Sequence, residues 1–302
     1  MTWQFVLTGL LIGVLVGMTG MGGGSLMTPI LVIVFGFKPT LAVGTDILHG
    51  AIFKTIGAIR HGRLGTVHAQ LSGWMLLGSA PMSLLGVVLA THLRHRYGDG
   101  AQSVMSNILG GALLFGALGL VAKSLLQGRV IGDDDRFDMV WRDRFAAIAI
   151  GLVGGFIVGL TSVGSGTFFG LTMLFVFPLR AHKVVGTDIL HAAALLYVAG
   201  MGHVIAGNVD YHAVGWLLIG SIPGVLVGSH FSVRLPEAVL RFTLANVLAI
   251  SGLKLINVPN VYLLVALVLS ACSVVVMLIR EQRRWAARRG ERLAAGLARA
   301  AD

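Results

Sequence analysis

Gly44-Thr45-Asp46-Ile47-Leu48-His49 occurs a second time as Gly186-Thr187-Asp188-Ile189-Leu190-His191, 142 residues further on (186 minus 44). The same offset, with no gap, pairs Gly17 with Gly159, Gly22 with Gly164, Gly24 with Gly166, His61 with His203 and Gly65 with Gly207. It continues through Gly73-Trp74 and Gly215-Trp216, Gly78-Ser79 and Gly220-Ser221, and Pro81 and Pro223. Chance does not hold such a register. The chain is a duplicated unit, and each copy joins a glycine-rich break to a helix carrying Asp and His.

The surroundings of this repeat are apolar. The chain is 56% hydrophobic and 12% charged, with mean hydropathy +0.86, which excludes an ordinary soluble domain. Its apolar stretches are near the length needed to cross about 30 Å of hydrocarbon. They are continuous rather than alternating, which argues against a β-barrel. The expected class is an all-α polytopic membrane protein. A net charge of +10 would suggest nucleic acid for a soluble protein. Here Lys and Arg sit in loops and a basic tail, so they orient the chain in the bilayer and no nucleic-acid partner is expected. The lone Cys272 excludes an internal disulfide. No basic n-region precedes Trp3, so the N-terminus reads as the first helix and not a cleaved signal.

Residues 1–127 form the first expected transmembrane repeat. Trp3 to Met18 is apolar, Thr19 to Ser25 interrupts it with three consecutive glycines, and Leu26 to Phe37 is a short apolar return. Glycine costs about 1 kcal/mol per residue relative to Ala inside a helix, so a non-helical break is predicted there. Spans follow at about 41–60, 67–92 and 103–126. A cytoplasmic connector, 128–144, carries Asp133-Asp134-Asp135, the composition of a solvated loop. Residues 145–257 repeat the plan: a break at Thr161 to Thr167, a short segment from Phe168, and spans at about 183–203, 212–231 and 238–256. One extra transmembrane helix is expected within 258–280, and an Arg-rich cytoplasmic tail over 281–302.

Each broken segment is predicted to be a hairpin returning to its own side. One face then collects Arg60, Arg63, Lys123, Arg129, Arg136, Arg142, Arg144, Arg180, Lys183, Arg234, Arg241 and the tail; the other holds Lys38, Arg94, Arg96 and Lys254. By the positive-inside rule the first face, with the C-terminus, is cytoplasmic. Three full spans per half then leave the two repeats inverted, a construction common in secondary transporters.

Two constellations carry the chemistry. Short helices starting inside the bilayer offer amides and the positive end of a dipole to an anion. Thr19, Gly22, Gly23, Gly24 and Ser25 supply one such end. Thr161, Ser162, Gly164, Ser165 and Gly166 supply the other, with Thr45 and Thr187 nearby. The competing reading is that these glycines serve only close helix packing. Hydroxyls and duplication favour a substrate site. The second constellation is the ionisable residues inside spans: Asp46, His49, Asp188 and His191, with each Asp and His three apart on one helical face. Lys54 joins the expected substrate contacts, although it lies within about 9 Å of Arg60 by helical rise and could instead snorkel to the surface. Carboxylates beside a bound anion favour protonation, which would couple anion and proton movement.

On Gly17-Met-Thr-Gly-Met-Gly-Gly-Gly24 with Pro29, Ala42-Val43-Gly44-Thr45, Gly57 through Gly65-Thr66-Val67, and their second-half counterparts, the chain resembles the TauE/SafE family of sulfite exporters and organosulfur-anion permeases. That resemblance implies an inner-membrane permease with two related halves, moving small sulfur-containing or carboxylate anions without a cofactor. The position after Gly-Thr, often Ser in the family, is Asp46 and Asp188 here, and the second break carries serines where the first has glycines. The proton role of the aspartates comes from this sequence and not from the family. A divalent-metal transporter using the two Asp-x-x-His pairs as ligands is the alternative. No Ser–His–Asp order or His-Glu-x-x-His pattern suggests an enzyme.

Overall fold

In the computed structural model, residues 2–19, 24–97, 100–126, 137–231, 237–270 and 273 are described. Among them the secondary structure is helical throughout. The first half contributes α1 (Thr2–Thr19), α2 (Gly24–Ile33), α3 (Pro39–Arg63), α4 (Ala69–Tyr97) and α5 (Gly100–Leu126). The second contributes α6 (Trp141–Thr161), α7 (Phe168–Val176), α8 (Ala181–Ile205), α9 (Tyr211–Phe231) and α10 (Glu237–Leu255). A further apolar helix, α11 (Asn260–Ser270), falls in the stretch expected to hold the extra span. The acidic connector run, the basic tail, Cys272 and Gly22–Gly23 lie outside the described residues, as do the side chains of Thr19 and Ser25.

Five helical stretches are long and apolar enough to cross a bilayer: Ala69–Arg96, Gln102–Ala122, Trp141–Thr161, His182–Ile205 and Tyr211–Gly228. Helix α3 falls outside that set; it carries Asp46, His49, Lys54, Arg60 and Arg63 within 25 residues. Large apolar side chains nevertheless face outward along the helices, among them Leu11, Leu77, Val88, Phe115, Leu118, Val153 and Leu226. That surface suits lipid.

The halves interlock and do not merely sit side by side. Helix α1 packs on α9, α4 on α6, α3 on α8 and α5 on α10. Glycines set the approach at the first two contacts. A Cβ added at Gly13 would lie 2.4 Å from the Ser221 carbonyl oxygen, and one at Gly155 would lie 2.3 Å from that of Ser79. Gly9 and Gly151 meet Leu217 and Met75 in the same way, at 2.2 Å each. These four glycines and their partners are equivalent across the 142-residue offset, so one contact is built twice. Backbones this close gain dispersion contacts where lipid removes the hydrophobic drive between helices.

Helices α3 and α8 pair with each other across the centre. Gly50 faces Leu196, Gly57 faces Ile189, and Gly200 faces Ile47 and Leu48, so the two run antiparallel. Gly110 of α5 and Gly252 of α10 likewise face each other's carbonyls at 2.8 Å. Equivalent residues of the repeat thus meet across both pairs.

Short loops fasten each half to the other. The amide of Asp210 donates to Thr45 Oγ1 (3.0 Å), and the equivalent amide of His68 donates to Thr187 Oγ1 (2.9 Å). The carbonyls of the equivalent glycines, Gly65 and Gly207, accept from Lys183 (3.1 Å) and Arg94 (3.2 Å). Arg94 also donates to Asn208 Oδ1, and Asn208 Nδ2 reaches Thr91 Oγ1 (2.8 Å) and His203 Nδ1 (3.3 Å). With His203 Nε2 donating to the Gly159 carbonyl (3.0 Å), Nδ1 is the acceptor and the ring is held in one tautomer.

Candidate functional site

The site grows from the second break. Helix α6 ends at Thr161, whose hydroxyl returns to the Ile157 carbonyl (2.7 Å) and accepts the amide of Val163 (3.2 Å). Ser162 caps it in the left-handed conformation, φ 62°. Gly164 and Gly166 follow at φ 126° and 95°, backbone angles that favour glycine, which reverses the chain before α7. The break expected from sequence is therefore present at this position. One correction concerns its donors. The leading amides of α7, Phe168 and Phe169, bond to the Gly164 carbonyl, so the helix end is partly capped.

Helix α3 brings its polar residues to this break. Asp46 Oδ2 accepts from Ser162 Oγ (2.9 Å) and from Thr28 Oγ1 of α2 (2.5 Å). One carboxylate thus ties the short helix of the first half to the break of the second. Lys54 Nζ donates to Ser165 Oγ at 2.6 Å. The sequence left Lys54 free to snorkel; instead it is 3% exposed and lies within electrostatic reach of Asp188 and Asp46. Each His turns to a serine on a helix of the other half. His49 Nε2 pairs with Ser221 Oγ, and His191 Nε2 with Ser79 Oγ, both at 2.9 Å.

The two Asp/His pairs do not converge. By the α3–α8 register, with Ile47 beside Gly200 and Gly57 beside Ile189, about twelve residues separate the levels of Asp46 and Asp188, or ~18 Å by helical rise. Lys54 stands between them, nearer Asp188. Both carboxylates, both imidazoles, Thr45, Thr187, Thr161, Ser162 and Ser165 are all buried. Among the described residues no group of three or more His, Cys, Asp and Glu side chains could hold a metal ion, so the shared Asp/His metal site of the alternative reading is not assembled.

Sequence reasoning assigned hydroxyl donors to Thr28 and Thr167 but missed Ser79 and Ser221. The signal for these two was available, since they are paired by the repeat. A serine in an apolar helix usually bonds its own backbone, so it drew no attention.

A helical membrane protein with a broken segment inside it, and carboxylates, imidazoles and an ammonium sealed between its halves, is built as a transporter. The chain belongs to the TauE/SafE sulfite exporter family, which it matches over residues 5–255. It is 39% identical over 256 residues to the probable membrane transporter protein YjnA of Bacillus subtilis, covering 85% of this chain and 100% of that one. Similarity extends to YdhB of the same organism (25%; 83% and 98% covered) and to MJ0441 of Methanocaldococcus jannaschii (22%; 82% and 92%), both probable membrane transporter proteins. No solved structure matches the chain. The protein is a multi-pass membrane transporter of a small molecule, and its family is one of transporters and not of enzymes.

Proposed function

We propose that the chain is a secondary transporter of a small anion, sulfite, a sulfonate or a related organic anion, coupled to protons through Asp46, His49, Asp188 and His191. The observation that carries this reading is the Asp46 carboxylate bridging Thr28 and Ser162. A carboxyl group is sealed between α2 and the second break, so anion occupancy and its ionisation oppose each other. The hydroxyls and glycines of both breaks, with Thr45, Thr187 and Lys54, line the anion's path. The antiparallel α3–α8 pair supports an axis in the membrane plane, with residues 1–127 and 145–257 inverted and 258–280 as an additional span. The basic residues support an inner-membrane orientation with the connector 128–144 and the tail 281–302 cytoplasmic. An interior-negative potential of 100 mV drives an anion outward by about 2.3 kcal/mol per charge, so export proceeds without coupling and uptake requires protons.

The test is flux in proteoliposomes with sulfite, methanesulfonate, thiosulfate and short carboxylates at several pH values. Wild-type flux is expected to depend on pH, and the Asp46→Asn, Asp188→Asn double variant to lose that dependence. No flux of any of these anions ends the proposal. An unchanged pH profile in the double variant ends the coupling.

A further inference from the structure

The two halves share a frame but differ in chemistry, and the differences gather at the start of α7. Asp46 is held by Thr28 and Ser162; the residues equivalent to these across the repeat are Gly170 and Gly20, which carry no hydroxyl. Ser165, which takes the Lys54 ammonium, corresponds to Gly23, and Lys54 itself to Leu196. A cation and its hydroxyl partner therefore exist once in the chain.

Three elements meet at the N-terminal turn of α7. Lys54 arrives from α3 through Ser165, Thr167 occupies the cap position, and His191 of α8 packs edge-on against Phe169 with ring centroids 4.4 Å apart. Thr167 is 6% exposed and His191 0%, yet Thr167 Oγ1 and His191 Nδ1 have no hydrogen-bond partner among the described residues. Sealed polar atoms are almost always paired, and an unpaired one is costly. Two such atoms belong to residues that flank the Lys54–Ser165 bond, Thr167 two residues along the break and His191 against Phe169, and unpaired groups around a buried ammonium point to a place that a ligand completes. The charge of that ligand follows from the cation. With Asp188 protonated, one ammonium compensates one negative charge in a medium of low dielectric, and a second charge on the ligand would stand uncompensated.

Resting on the anion-transport reading, we propose that one anion binds per chain, at this turn, as a singly charged oxyanion head group. Lys54 selects its charge, Thr167 and Ser165 donate to its oxygens, and His191 offers a further donor from Nδ1. Asp188 competes with the anion for Lys54, so the anion enters as that carboxylate gives up the ammonium.

The experiment is isothermal titration of the purified full-length protein in detergent with methanesulfonate and with sulfate at one fixed pH. Methanesulfonate is expected to bind about tenfold or more tightly than sulfate, which corresponds to one lost charge-assisted contact. Lys54→Met should abolish binding, Thr167→Val should weaken it by about fivefold or more, and Asp188→Asn should tighten it. Arg142→Met, which removes an exposed cation at the start of α6, should leave it unchanged. Binding of methanesulfonate by Lys54→Met and Thr167→Val at wild-type affinity overturns the site while leaving anion transport standing. If Lys54→Met does not fold, the nearly isosteric Thr167→Val decides. Sulfate bound as tightly as methanesulfonate overturns the single-charge selection. A wild-type protein that binds and transports none of the anions removes the parent reading as well.

Discussion

Asp46 and Asp188 are copies of one residue held by different means, the first by two hydroxyls and the second beside an ammonium. Their replacement should therefore cost different amounts. An amide at position 46 still accepts from Thr28 and Ser162. An amide at position 188 leaves Lys54 without its nearer counter-charge, a loss on the order of 3–5 kcal/mol for a buried pair broken from one side. Without anion, Asp188→Asn is expected to lower the thermal midpoint by several degrees more than Asp46→Asn. Added methanesulfonate should recover most of the loss in Asp188→Asn only. Differential scanning fluorimetry with and without the anion checks this; equal shifts for the two variants would remove the distinction. The ionisable residues were legible in the sequence, because charge inside an apolar span stands out. Their partners were not. Whether Lys54 reached the surface or the seam depended on what α8 and the second break placed beside it, and the spacing along one helix does not contain that information.

At the scale of elements, the prediction concerns glycine. Gly155 and Gly13 sit where any side chain would meet backbone atoms of Ser79 and Ser221, which cannot withdraw as a flexible side-chain tip could. Gly155→Val should cost about 4 kcal/mol or more and give aggregated or degraded protein on size-exclusion chromatography. Gly73, in α4, meets nothing within 4 Å of an added Cβ, so Gly73→Ala should stabilise that helix by up to about 1 kcal/mol. If both behave alike, close approach is not what holds α4 to α6. The sequence made the break at 161–167 and the succession of long helices readable, since three-residue hydroxyl and glycine patterns cannot continue a helix cheaply. It did not say which glycines serve a turn and which serve a contact. Gly164 and Gly166 serve the turn through positive φ, Gly155 serves a contact, and composition looks the same for both.

For the whole molecule, the repeat gives two equivalent loop closures, and the structure makes them an unequal pair. The loop after α8 is closed by Arg94, Asn208, Thr91 and His203 acting together, with Asn208 and His203 buried. The loop after α3 is closed by Lys183 on a carbonyl and by His61 Nδ1 with Thr66 Oγ1 (2.9 Å), both nearer the surface. Hydrogen exchange reads each end separately, because opening must break the amide of Asp210 from Thr45 or that of His68 from Thr187. Exchange is expected to be faster at His68 than at Asp210, and Arg94→Ala should accelerate Asp210 by about tenfold while leaving His68 unchanged. Equal rates at the two amides in the wild type would show that the extra bonds carry no weight.

A clasp with more links on one side than the other gives the protein a preferred posture before any cargo arrives. With both ends fastened equally neither would be favoured; here the Lys183 side is the more lightly fastened one. The Lys183 side should therefore yield first when either end is strained, and the exchange rates of His68 and Asp210 read that order directly.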